Sequence, residues 1–192
     1  MFGLTLKKRP ETHAVVMLKD DHKRVQTLFH EFEKTEDAAE RKRIVTQTIN
    51  ELKVHAALEE EIFYPAVRKQ IKDAEIMNEA DEEHHVAKLL IAELESMKGN
   101  ESHYVAKFLV LAENVRHHIE EEESDMLPEA EESKIDFEAL GEKMMTRKQK
   151  LLEEGVAPAG EERMVKASRG QGDSPAKAAR RTVKVPKKRA KR

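Results

Sequence analysis

The feature that most limits how this chain can fold is a stretch that occurs twice. His55-Ala-Ala-Leu-Glu59-Glu60-Glu-Ile-Phe-Tyr-Pro65 returns as His118-Ile-Glu-Glu-Glu122-Glu123-Ser-Asp-Met-Leu-Pro128. In each copy a His is followed four residues later by Glu, then by a second Glu, and ten residues after the His by Pro. An acidic-His pair precedes each copy, Asp21-His22 and Glu83-His84. The gap from His22 to His55 is 33 residues and that from His84 to His118 is 34. The chain therefore reads as two halves offset by about 62 residues. Residues four apart share one face of a helix, so each His-x-x-x-Glu places an imidazole and a carboxylate side by side.

The remaining pattern is helical. Strong helix formers dominate, aromatics make up 4% of the 192 residues with no Trp, and Gly and Pro number only 7 and 6, too few to punctuate a many-stranded fold. Apolar residues recur three or four apart in four seams. Val15, Leu18, His22, Val25, Phe29 and Phe32 mark a helix from just after Thr12 to about Lys34. Ile44, Thr48, Leu52, His55, Glu59 and Ile62 mark one from about Glu36 to Tyr64, which Pro65 is expected to kink or end. Met77, Ala80, His84, Ala87, Ile91 and Leu94 mark a third, about Ala74 to Lys98, with Asp73 as its cap and Gly99-Asn100 as its stop. Tyr104, Phe108, Leu111, Val115, His118, Glu122 and Met126 mark a fourth, about Ser102 to Leu127, closed by Pro128. A fifth, Phe137 to Glu154, is capped by Asp136, stopped by Gly155 and expected outside the four-helix core.

The predicted fold is all-α, an antiparallel up-down-up-down four-helix bundle with an extra C-terminal helix and a disordered basic tail. The expected divisions are a leader over 1–11, the bundle over 12–132, the additional helix over 133–155 and the tail over 156–192. The net charge of −3 conceals an asymmetry: residues 156–192 hold 12 Lys and Arg against 3 acids. The body is acidic and the tail basic.

The seams carry the chemical signal. Each must be buried, yet two hold a His and a Glu, and two hold a His, where Leu or Val is expected. Burying two uncompensated carboxylates costs several kcal/mol per ion, and no Lys or Arg occupies the same seam positions. A metal ion can supply the missing positive charge. Imidazole and carboxylate donors without thiolate suit iron, manganese or zinc. His22, His55, His84, His118, Glu59 and Glu122 are many ligands for one ion; they suit two ions bridged by the carboxylates. Glu60 and Glu123 are expected as hydrogen-bond partners of the His rings or as solvated acids.

At these residues the sequence resembles the hemerythrin-like family of His-His-Glu cation-binding domains. The resemblance rests on Asp21-His22, His55-x-x-x-Glu59-Glu60 with Tyr64-Pro65, Glu83-His84, and His118-x-x-x-Glu122-Glu123 with Leu127-Pro128, and covers about Val15 to Pro128. It implies a non-haem, oxo- or hydroxo-bridged di-iron centre that binds dioxygen, peroxide or nitric oxide, in sensing, storage, stress response or peroxide turnover. In the oxygen-carrying members the third helix carries His-x-x-x-His, but here Ala80 and Lys88 stand four before and four after His84. Their fourth-helix motif ends in Asp five residues after the His, whereas Glu122 is four after His118. One terminal His is missing, which favours redox chemistry or sensing over reversible carriage.

Other classes are set aside on the residues. The absence of Cys excludes disulfides, iron–sulfur clusters and thiol catalysis. A ferritin-like site needs two Glu-x-x-His motifs, and only Glu82-x-x-His85 matches, off the seam. No side-chain nucleophile or acid–base pair stands out, so enzyme activity is left open and no catalytic residue is assigned. His85 and His117 turn away from the seams and read as surface or supporting residues; His13, His30 and His103 read as exposed near helix ends, and Tyr64 and Tyr104 as core or capping aromatics. No apolar run reaches membrane-spanning length, and a cytoplasmic location is expected. Residues 175–192 hold 9 Lys and Arg and no acid, which allows weak, sequence-independent nucleic-acid contact. A metal-stabilised regulatory module contacting nucleic acid through this tail is the alternative reading.

Overall fold

The structure is a computed structural model that describes residues 10–72 and 74–170. Most of the leader, the Asp73 cap and the tail from residue 171 onward lie outside the described residues. Six main helices make up the described residues. They are α1 (Ala14–Lys34), α2 (Ala38–Leu58), α3 (Ala74–Glu95), α4 (Tyr104–Glu121), α5 (Phe137–Glu154) and α6 (Gly160–Gly170). The first four form the antiparallel bundle, with α1 paired to α2 and α3 to α4.

Local chemistry sets the ends. Asp37 caps α2 by accepting the backbone N–H of Glu40 at 2.7 Å, and Asp136 caps α5 through the N–H of Ala139 at 3.0 Å. Such caps satisfy amides that have no partner inside the helix. Gly99 and Gly155, at φ of 96° and 81°, make the turns after α3 and α5 that residues with a Cβ rarely adopt.

Pro128 does not close its helix as expected, and Pro65 is likewise followed by a further turn. Neither ends its helix. α2 passes through a π turn (Glu59–Phe63) into a further α turn (Tyr64–Val67), and α4 does the same through Glu122–Met126 into Leu127–Glu131. In each, the helix widens by one residue immediately before the proline. The Tyr64 N–H bonds the Glu59 carbonyl and the Leu127 N–H bonds the Glu122 carbonyl. The wider turn makes room for a ring that clashes with the carbonyl four residues back and has no N–H to give.

The apolar core is in two pieces. One cluster joins the start of α1, the ends of α2 and α4 and the start of α3 through Leu18, Leu58, Phe63, Met77 and Leu127. The other joins the remaining halves through Phe29, Phe32, Ile44, Leu52, Phe108 and Leu111. Between them lies a polar layer containing every His of the four seams. α5 packs against α1 and α2, but it is more than an outer addition: Phe137, Leu140, Met144 and Leu151 belong to the first cluster. Gly141 allows that approach, because a Cβ there would lie 1.7 Å from the Thr12 carbonyl oxygen and 2.8 Å from Ala14 N.

Part of the stretch expected as tail from residue 156 is helical. Residues 160–170 form α6, which lies along α3. Its attachment is mainly polar. Val165 is its one buried apolar residue, while Met164 is exposed. Too little apolar periodicity was therefore available to mark the helix.

Candidate metal centre

His22 of α1, His55 of α2, His84 of α3 and His118 of α4 all point into the polar layer, with Glu59 and Glu122 from the two π turns. None of the six is more than 6% exposed. Two sets of donors emerge, each with its atoms within 4.8 Å of one another. They are His22, His55, Glu59 and Glu122, and Glu59, His84 and His118. Glu59 belongs to both. His55 Nε2 lies 3.1 Å from Glu59 Oε1 and His84 Nε2 lies 3.3 Å from Glu59 Oε2. Glu122 Oε2 lies 3.3 Å from His22 Nε2 and 3.7 Å from His118 Nε2. The rings of His22 and His55 stand 4.9 Å apart, and those of His84 and His118 4.8 Å.

The outer nitrogens face acids in a regular way. Nδ1 of His84 donates to Glu60 at 2.9 Å, Nδ1 of His118 to Glu83 at 2.8 Å and Nδ1 of His22 to Glu123 at 2.9 Å. Nδ1 of His55 faces Asp21 at 3.8 Å. Each acid is the chain neighbour of another member of the centre. The links run α1 to α2, α2 to α3, α3 to α4 and α4 to α1, a closed ring. An acid on Nδ1 fixes the proton there and leaves the Nε2 lone pair facing inward.

Two further residues belong here that sequence reasoning did not assign. The Tyr64 hydroxyl donates to Glu122 Oε1 at 2.9 Å and lies 3.2 Å from His84 Nε2, so it is part of the centre rather than only a core aromatic. Lys148 of α5 donates to both oxygens of Asp21, at 2.5 and 2.7 Å. Tyr64 had a signal, its place in the repeated stretch; Lys148 had none, because its partner lies 127 residues away. Of the other histidines, His85 is bound to Glu161 at 2.8 Å, and His13 stacks on Phe137 with ring centroids 5.4 Å apart. His117 forms a surface group with Glu83 and Glu121.

The field of the layer favours positive charge. Burial alone pushes His55 toward the neutral form, but Glu59, Asp21 and Glu122 outweigh it and raise its pKa to about 10. Burial also opposes charge on His84, and Glu59, Glu60 and Glu122 raise it to about 9. For Asp21, burial is outweighed by His55 and Lys148, and its pKa falls to about 2.

The donor set fits a metal. His22 Nε2, His55 Nε2, both oxygens of Glu59 and Glu122 Oε2 are buried and have no hydrogen-bond partner. Buried polar atoms are rarely left so. These are inward-facing atoms, and cations among them would satisfy all five.

The family model described as the Hemerythrin HHE cation binding domain matches residues 13–130. The chain belongs to this hemerythrin family. An uncharacterized hemerythrin-like protein of Schizosaccharomyces pombe is 30% identical over 122 residues, 62% of this chain and 60% of that protein. A protein of Nostoc named DNA nickase is 26% identical over 110 residues, 57% of this chain and 31% of its own length. The chain thus spans less than two thirds of either relative. The crystal structure of a Hemerythrin HHE cation binding domain-containing protein from Mycobacterium kansasii superposes with a TM-score of 0.61 at 25% identity, covering 74% of this chain and 94% of that one. This hemerythrin-like chain is a helical cation-binding protein with a buried His/Glu cluster. No helix among the described residues is long and apolar enough to cross a membrane.

Proposed function

We propose that the polar layer holds two non-haem iron ions. His22, His55, His84 and His118 would be terminal ligands, and Glu59 and Glu122 would bridge. The observation that supports this is the set of buried, inward-facing nitrogens and oxygens without hydrogen-bond partners, shared between two donor groups through Glu59. Iron in such a setting supplies one-electron redox change and open positions for dioxygen, peroxide or nitric oxide.

The chain's residues prepare and shield that chemistry. Glu60, Glu83 and Glu123 on Nδ1 hold three of the imidazoles in one tautomer and orientation, and Asp21 faces the fourth. The Tyr64 hydroxyl fixes Glu122 and brings a proton donor beside His84 Nε2. The two apolar clusters exclude water from above and below. Ala80 and Lys88 stand where a further His would be needed for the ligand set of the oxygen carriers. That favours sensing, or consumption of peroxide, over reversible carriage.

Metal analysis of protein purified without a His tag tests the reading. About two iron ions per chain are expected, with near-ultraviolet absorption lost in His118→Ala. Protein that takes up no iron, or only manganese or zinc, would overturn the iron assignment.

A second reading concerns nucleic acid. It is supported by the 9 Lys and Arg in residues 175–192 and by the Nostoc relative named DNA nickase. Salt-titrated DNA binding should weaken when residues 171–192 are removed; unchanged binding would eliminate the tail from this role.

A further inference from the structure

A cavity of about 320 Å³ opens beside the centre. Its inner wall carries His22, His55, His84 and His118, and its outer wall includes Val156, Ala157, Ala159 and Gly160. That outer segment lies beyond residues 13–130, the part of the chain that matches the family.

We infer that residues 156–162, together with α6, are a size-selective cover over the metal centre. Molecules of diatomic or peroxide size pass beside the cover. Larger chelators and organic reductants reach the metal only when it lifts. The inference rests on the metal-centre reading above and adds to it which molecules gain access.

The manner of attachment carries the argument. Lys53 of α2 donates to Glu162 at 2.8 Å and to Glu95 at 3.1 Å. His85 of α3 donates to Glu161 at 2.8 Å, and Lys88 stands 3.9 Å from the same oxygen. Glu162 is 7% exposed, so its carboxylate depends on Lys53, with Lys166 farther off at 3.9 Å. Beyond these ion pairs, Val165 supplies the one buried apolar contact of α6. A segment held by two polar latches, Val165 and a half-buried Val156 at the edge of the first apolar cluster opens locally far more readily than the bundle beneath it unfolds. The latches also lie close to the centre. Lys88 donates to Glu60 Oε1 at 2.9 Å, the oxygen that accepts from His84.

The test uses full-length protein loaded with iron(II) and challenged with bathophenanthroline disulfonate, a chelator too bulky for the cavity. Lys53→Met strips Glu162 of its partner, and a buried carboxylate left alone is expelled toward water. Colour from the chelated iron should then develop about tenfold faster than in the unaltered chain. Azide, a three-atom ligand, should bind at the same rate in both. Glu161→Gln loosens the other latch and gives the same comparison should Lys53→Met fold poorly. Diethyl pyrocarbonate modification of His22 and His118, which line the same cavity, in metal-free protein, followed by mass spectrometry, supplies a readout that needs no iron. Faster modification in either variant supports the cover. Equal chelation and equal modification in all three proteins would overturn it. Failure of every protein to take up iron would sink the metal reading, while the histidine modification would still decide the cover.

Discussion

Lys148 reaches from α5 to both oxygens of Asp21, and Asp21 in turn faces Nδ1 of His55. Replacing it by Met leaves Arg24, at 2.7 Å, as the remaining cation on a carboxylate that is 3% exposed. Lys148→Met should lower unfolding stability by about 2 kcal/mol, the scale of a lost hydrogen bond to a charged group, measured by urea denaturation. A second residue, Gly141, is constrained by space alone. Any Cβ there meets the backbone of Thr12 and Ala14, so Gly141→Ala should cost about 1–3 kcal/mol by overpacking. The loss would appear as a lower Tm, with Phe137 and Leu140 loosened first. The six side chains of the polar layer could be read in the sequence because each interrupts an apolar seam at a repeated position. Lys148 could not, because a lysine on an outer helix looks solvated until the fold brings Asp21 beneath it.

At the scale of elements, the two π turns deliver Glu59 and Glu122 to the centre just ahead of Pro65 and Pro128. The sequence identified the prolines as interruptions. It did not show that widening by one residue lets the helix continue, because that depends on the carbonyls of the preceding turn. α6 was missed for a different reason, since ion pairs to α2 and α3 replace an apolar stripe. Its docking should depend on pH. Burial alone raises the Glu161 carboxyl, but its own backbone N–H, His85 and Lys88 outweigh this and hold it below the usual 4.5. With the folded value depressed, its contribution is fully present above 4.5 and is lost as pH falls through the folded value. Facing the same junction are Lys53, Glu95 and Glu162, which keep the second latch in place. Amide exchange in residues 160–168, corrected for its intrinsic pH dependence, should accelerate on acidification below 4.5 and do so less in Glu161→Gln.

For the whole molecule, the division of the apolar core into two clusters places the least self-sufficient part of the bundle at its centre. Binding energy for a cation is therefore stability for the fold. At a free metal concentration a hundredfold above Kd, binding adds about 2.7 kcal/mol, so removal by a chelator should lower Tm by roughly 5–10 °C. Calorimetry of loaded and stripped protein checks this, and an unchanged Tm would contradict a bound cation.

The ring of acids has one more consequence. Advancing each contact by one half of the chain turns Asp21 with His55 into Glu83 with His118, and Glu60 with His84 into Glu123 with His22. The four pairings thus repeat from one half of the chain to the other, as though two identical subunits had been joined end to end. Either half by itself would lack the anchor for one imidazole, and a second copy of that half would bring it.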